Sequence, residues 1–259
     1  MTVVESDPPD RPDEGGAGAG MAMDAVALAR LTEVLLSAVE GERKSDAPAR
    51  LCQACVDLLD ITGASISLSG DADTRATWWS SDTVAARLAE AQYSLGDGPC
   101  RSALNAVAPV LAADLAGGQD ARRWPVFAQQ AVELGVRAVF SLPLGSSAVA
   151  IGTLDLYRRT PGGLSEWDQS FAFPAADAIT IALLTLQASS STAGEDSAWL
   201  DAAETDHDEV HQATGMIMIF LDLDAPHALA RLRAHAFTRS QSVTEAARDV
   251  IAGRISFHD

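Results

Sequence analysis

The 259 residues carry 36 Asp and Glu against 18 Lys and Arg, a formal net charge of -18 that repels polyanions at long range and excludes a general nucleic-acid coat. Hydrophobic residues make up 47% and charged residues 21%, the balance of a folded chain, and no apolar run approaches the roughly 18 residues that a membrane span needs. Three cysteines, Cys52, Cys55 and Cys100, provide no disulfide framework and suit a reducing cytosol.

Residues 1–20 combine five acids and Arg11 with Pro8, Pro9, Pro12 and four glycines, too little apolar surface to offset chain entropy. A disordered acidic tail is expected, without the basic and apolar regions of a secretory signal. Leu28, Leu31, Leu35 and Val39 recur at spacings of three and four and predict an amphipathic helix; a second helix carries Leu51, Val56, Leu58 and Leu59. The period then changes. Ser65-Ile66-Ser67-Leu68-Ser69 alternates strictly and predicts a strand with one buried face. Further strands are expected at Arg75–Trp79, Val139–Leu144 and Ala150–Tyr157, the last two joined by a turn at Gly145. Helical patterns fall at Val84–Ala91, Arg101–Ala106 and Val126–Leu134, and from Ala175 through Ile179 and Leu183 to Leu186, with a kink or a new helix at Pro174. This order predicts an α+β sandwich with an antiparallel sheet over residues 21–188.

Residues 189–196, rich in Ser, Thr, Ala and Gly, have the composition of a flexible linker. Residues 197–259 then predict a small three-helix bundle. Its first helix ends near Phe220, its second runs from Ala225 to Thr238 with Asp224 as cap, and Ser242-Val243-Thr244-Glu245 is a capping box that opens the third. That helix runs through Ile251 and stops at Gly253.

Several residues in these elements are of chemical interest. At about 100° per residue, His227, Arg231, His235 and Arg239 form a ladder along one side of the second helix, and Arg233 lies about 200° from Arg231 on the other flank of the apolar stripe. Such a ladder is either a solvated face paired with acids or a set of phosphate contacts with guanidinium groups able to stack on unpaired bases. His207 and His211 have a spacing that can bind metal, but no cysteine or acidic ligand pattern accompanies them, and no metal or cofactor is expected. Met216 to Phe220 reads as core packing. Cys52-Gln53-Ala54-Cys55 sits within a helical pattern and reads as two half-buried small hydrophobes. Cys100 follows the turn Gly96-Asp97-Gly98-Pro99 at a helix start, where the positive dipole end favours a thiolate.

Tyr93-Ser94-Leu95-Gly96-Asp97-Gly98-Pro99-Cys100, Asp114-Leu115, Arg123-Trp124-Pro125, Gly135-Val136-Arg137, Leu142-Pro143-Leu144 and Ile151-Gly152-Thr153-Leu154-Asp155-Leu156-Tyr157 resemble, in this order, the GAF sensor domains of actinobacterial regulators. His211-Gln212-Ala213-Thr214-Gly215-Met216, followed by Ala228 to Ala236, resembles the ANTAR domain of transcription antiterminators. Together the two resemblances imply a GAF sensor followed by a module that binds paired RNA hairpins in nascent transcripts, usually as a dimer. They imply RNA contacts at Gln212, Ala213, Thr214 and Gly215, joined by Arg231, Arg233, His235 and Arg239. A sensor pocket with Trp78, Tyr93, Asp97, Cys100 and Trp124 is implied for a small molecule or partner. Many ANTAR domains carry lysine where this chain has Thr214, which brings a hydroxyl but no charge. From Asp201 to Asp259 the chain has five arginines and ten acids, a net charge of -5.

The reading that follows is a cytosolic, non-enzymatic, dimeric regulator that causes transcription antitermination. The apolar helix from Ala175 to Leu186 is expected to pack against its copy and couple the two modules. Two alternatives stand beside it. One is a GAF sensor whose helical tail binds protein rather than RNA; the other is a cysteine-based methionine sulfoxide reductase of GAF fold, using Cys100 with Cys52 or Cys55.

Overall fold

The computed structural model describes residues 33, 46–69, 75–146, 148–193, 207–255 and 257. The acidic tail and the helix expected over Leu28 to Val39 lie outside the described residues. In the sensor region the elements are α1 (Ala47–Leu58), β1 (Gly63–Ser69), β2 (Arg75–Ser80), α2 (Thr83–Leu95), α3 (Pro99–Ala106), β3 (Val110–Ala112), α4 (Gly118–Arg123), α5 (Pro125–Glu133), β4 (Ala138–Gly145), β5 (Ala150–Arg158) and α6 (Glu166–Ala193). The strands form one antiparallel sheet of order β2-β1-β5-β4-β3.

Alternation along the strands divides the core into two layers. Ala64 and Ile66 of β1, Phe140, Leu142 and Leu144 of β4 and Leu154 and Leu156 of β5 face α1 and α6, which contribute Leu51, Cys52, Cys55, Phe171, Ala175 and Ile179. The opposite residues Val139 and Tyr157 join Val110 and Ala112 of β3 under α2, α3 and α5, where Leu88, Ala103, Trp124 and Phe127 are buried. Helices therefore cover both faces of the sheet, which buries β1 on both sides from Gly63 to Ser67. That corrects the expectation of one buried face: Ser65 and Ser67 are 2% and 1% exposed.

Three further differences from expectation have physical causes. β3 and α4 have three and six residues, too few to show a period in sequence. α6 is continuous through Pro174, so no new helix begins there. The backbone bond that proline removes is offset by burial of Phe171, Ala172, Ala175 and Ala176 on either side. The same helix reaches Ala193, so residues 189–193 of the expected linker are helical, since extending an existing helix costs far less than nucleating one.

Local capping fixes α2. Asp82 Oδ1 accepts from the backbone N–H groups of Val84 at 2.7 Å and Ala85 at 2.9 Å, and Gly96 closes the helix in the left-handed region at φ 64°.

The C-terminal bundle comprises α7 (Asp208–Leu221), α8 (Ala225–Thr238) and α9 (Val243–Ile251). Asp224 caps α8 by accepting from His227 N–H, and the Ser242–Glu245 capping box opens α9. Val210, Ala213, Ile217, Leu229, Leu232, Ala236, Val243, Ala246 and Val250 form its core. Of the run expected as packing, Ile217 is buried and Met216 and Met218 are half-buried, whereas Ile219 is 84% and Phe220 64% exposed. A helical period brings only part of a continuous apolar run to one side.

Candidate functional site

The ladder on α8 divides into groups with different surroundings. Arg231 and Arg239 are exposed, and among the described residues neither forms an ion pair. His227 Nδ1 lies 2.5 Å from Asp224 Oδ1. The Asp224 carboxyl is held below its ordinary range, chiefly by the backbone N–H of His227 and then by its ring. His235 is half-buried, its ring edge set against Phe257 at 5.4 Å between centroids, and its Nε2 is buried without a hydrogen-bond partner among the described residues. His235 thus faces the bundle rather than solvent.

The other arginines of the bundle are engaged. Arg248 Nε donates to Glu209 Oε2 at 2.7 Å, and Arg254 pairs with Asp249 at 2.6 Å. The Asp249 carboxyl is correspondingly lowered, first by the Arg254 hydrogen bond, with the charge of Arg239 a small contributor. Arg233 turns toward the sensor: its Nε donates to the backbone oxygen of Tyr93 at 3.2 Å, and its guanidinium carbon lies 5.6 Å from the Tyr93 ring centroid. The helical period separates Arg233 from Arg231, so it does not share the open face.

Gln212 is exposed and Gly215 half-buried, but Ala213 and Thr214 are not surface groups, at 0% and 8% exposure. Thr214 Oγ1 donates to the backbone oxygen of Val210 at 2.7 Å, the back-bond that hydroxyl side chains make inside helices. The expectation that Ala213 and the Thr214 hydroxyl meet RNA is corrected accordingly. The His207/His211 pair does not converge. His207 is buried and stacked on Tyr93 while His211 is exposed, and no group of residues able to hold a metal occurs among the described residues.

The five residues expected to line one sensor pocket are distributed over separate environments. Trp78 is half-buried on β2 against the α1/α6 layer, and Trp124 is 2% exposed in the opposite layer, where its Nε1 donates to Ser102 Oγ at 3.1 Å. Tyr93 belongs to the core of the helical bundle, Asp97 is exposed, and Cys100 is fully buried with its N–H bonded to Gln92 Oε1 at 2.8 Å. The tertiary structure does not gather them. Cys52 and Cys55 pack in the α1/α6 layer, whereas α3, which carries Cys100, covers the other face of the sheet. Burial raises both α1 thiols, Cys55 to about 12, so neither is an activated nucleophile.

A polar patch that sequence reading missed lies under the α2/α3 layer. Strand register aligns Ser65, Asp155 and Ser141 across β1, β5 and β4, with Ser67 and Thr153 in the next row. All five are at most 7% exposed, Thr153 Oγ1 donates to Asp155 Oδ2 at 3.2 Å, and the Ser67 and Ser141 hydroxyls are buried without a hydrogen-bond partner among the described residues. The serine alternation in β1 was the available signal, but it also fits a strand with a solvated face.

An antiparallel sheet with helices on both faces, followed by a helical bundle, defines a two-part chain with a sensor-type α+β domain. The GAF domain family matches residues 47–184, more than half of the sequence, and the chain belongs to that family. Residues 199–251 match the ANTAR domain. No curated protein matches the chain. Among solved structures, the GAF domain of a phosphoenolpyruvate-protein phosphotransferase from Coxiella burnetii is similar over 66% of this chain and 98% of its own, at 14% identity and a TM-score of 0.51. The corresponding GAF domain from Acinetobacter covers 65% and 98% at 13% identity, with a TM-score of 0.49. A free methionine-R-sulfoxide reductase from Neisseria meningitidis covers 71% and 96% at 14% identity, with a TM-score of 0.45. At these identities the likeness concerns the fold. A GAF domain followed by an ANTAR domain is the architecture of a signal-sensing regulator.

Proposed function

We propose that this chain is a cytoplasmic, homodimeric regulator that binds paired RNA hairpins through its ANTAR module and causes transcription antitermination, with the GAF domain sensing a small molecule or partner. The observation that carries the RNA reading is the exposure of Arg231 and Arg239, free of ion pairs among the described residues, in a bundle whose other arginines are engaged. Phosphate affinity depends on how many positive groups can reach the backbone, so two open guanidinium groups on one helix offset part of the module's acidity. Gln212, exposed on α7, and the half-buried Gly215 are the contacts from the motif word that remain accessible. Binding of a paired-hairpin RNA library by the full chain, compared with the Arg231→Ala/Arg239→Ala variant at two salt concentrations, tests this reading. Unchanged affinity in the variant rejects the assigned face.

Dimerisation is proposed through α6. Most of its apolar residues are used within the protomer, but Ile181 and Leu184 remain 65% and 47% exposed at helical spacing. Half of the apolar stretch Glu166–Leu186, long enough by composition to cross a membrane, is buried inside the protein.

A second reading, a helical module that binds protein, is favoured by the exposure of Ile219, Phe220 and Phe237 together with the buried Thr214 hydroxyl. Hairpin binding abolished by the arginine substitutions argues against it. The reductase alternative has no support from the thiols, which are buried and divided between the two faces of the sheet.

A further inference from the structure

We propose that the C-terminal end of α2 is a docking surface for the chain's own ANTAR module, and that docking there withholds Arg233 from RNA, so that hairpin binding and docking compete. The competition rests on the RNA reading above; the docking contact stands on its own geometry. Tyr93 is part of the GAF domain in sequence, yet it is 4% exposed within the core of the α7–α9 bundle. His207, at the entry to α7, stacks on its ring with centroids 3.6 Å apart and planes 9° from parallel.

Two helix ends complete the contact. Tyr93 lies in the last turn of α2, where the dipole favours a cation, and its oxygen, which accepts the capping N–H of Gly96 at 3.2 Å, also accepts from Arg233 Nε. Gly96 permits that approach: a Cβ there would stand 2.8 Å from Arg233 Nη1. In the other direction, Val243 is the first residue of α9, and its N–H, which has no partner within the helix, donates to Ser94 Oγ at 3.0 Å. The Ser94 hydroxyl in turn donates to Glu90 Oε1 at 2.9 Å, which makes a relay of hydrogen bonds from α9 to α2.

The contact is local and so can part. Beside it a groove of about 640 Å³ separates α2 and α5 from α8, lined by Arg87, Gln129, Glu133 and Phe237. With Arg248 and Arg254 in ion pairs, release of Arg233 adds a third available guanidinium group to the module, on the flank of α8 opposite Arg231. Docked and undocked forms therefore differ in phosphate affinity, the condition under which a signal that shifts docking also shifts RNA binding.

The test uses the full chain with spin labels at Val132→Cys on α5 and Ala234→Cys on α8, and a paired-hairpin RNA titrated across salt. A single narrow label distance is expected in the parent chain, and a broad one in Tyr93→Ala or His207→Ala. Those variants are expected to bind the hairpin at least about threefold more tightly, since affinity scales with the competent fraction. Their dependence of log affinity on log salt should steepen by about one further phosphate contact. If Tyr93→Ala does not melt cooperatively, His207→Ala and Ser94→Ala carry the comparison. A broad distance in the parent chain, or equal affinity and salt slope in docked and undocked chains, overturns the proposal. If the distances respond as expected but no form binds the hairpin, docking stands and the RNA reading falls.

Discussion

The hydroxyl of Tyr157 on β5 donates to Asp82, the N-cap of α2, at 3.1 Å, joining residues 75 apart in sequence. Asp82 also accepts from Ser81 Oγ and from two backbone amides. Burial pushes its carboxyl up, but the hydrogen bonds from Ala85, Ser81, Val84 and Tyr157 together outweigh it, and the carboxyl titrates below its ordinary value. Burial, and then the neighbouring Asp82 charge, raise Tyr157 to about 12. The pair anchors the start of the helix whose far end meets the ANTAR module.

Asp82→Ala is expected to cost about 1–2 kcal/mol through loss of the cap, measured by denaturant unfolding. The pH dependence follows from the shifts. The lowered Asp82 carboxyl contributes stability that is complete above its unfolded value of about 4 and lost as pH falls through the folded value. The raised Tyr157 hydroxyl contributes stability that is complete below about 10 and lost as pH rises toward 12. Tyr157→Phe should flatten the alkaline limb and leave Asp82's amide contacts in place.

Arg231→Ala and Arg239→Ala are expected to weaken hairpin binding uniformly across loop sequences, each reducing the salt slope by about one. Both residues are exposed, so the melting midpoint should move little, by a stability change within about 0.5 kcal/mol. Filter binding across salt, paired with thermal melts, separates the two effects.

Thr214→Val should leave RNA affinity within about twofold, since the hydroxyl already spends its hydrogen bond on Val210 inside α7. A large loss of hairpin binding in a variant with an unchanged melt would show that this side chain reaches RNA after all.

Native protein should react slowly with an aromatic disulfide reagent at neutral pH. All three thiols are buried, and burial raises Cys52 and holds Cys55 near 12. Full labelling is expected only under denaturing conditions, with a rate that follows unfolding. Rapid stoichiometric labelling of the native chain would contradict the packing described for α1 and α3.

Ile181→Glu/Leu184→Glu is expected to shift the sedimentation coefficient from dimer to monomer while the circular dichroism spectrum is retained, because both side chains are exposed on α6. An unchanged coefficient places the dimer contact elsewhere.

Local signals are strong where the physics is local. Asp224 and the Ser242–Glu245 pair specify helix starts by satisfying backbone groups within four residues, and α8 and α9 begin where those signals stand. The alternation of β1 likewise reports a strand, and the motif words report the families matched at 47–184 and 199–251. Side-chain fate is a different matter. An arginine at position 233 and one at 231 are equivalent in composition, and helical period separates their directions but not their partners. Only the packing of α8 against α2 assigned one to the Tyr93 carbonyl and left the other open. Ser65 and Ser67 look like a solvated strand face until α2 and α3 cover it. Sequence by itself determined the longer elements and their order, through period and capping signals a few residues apart; β3, α4, burial, ion pairing and the seating of one module on the other were decided by tertiary structure, since they depend on surfaces brought together from as far apart as Tyr93 and Arg233.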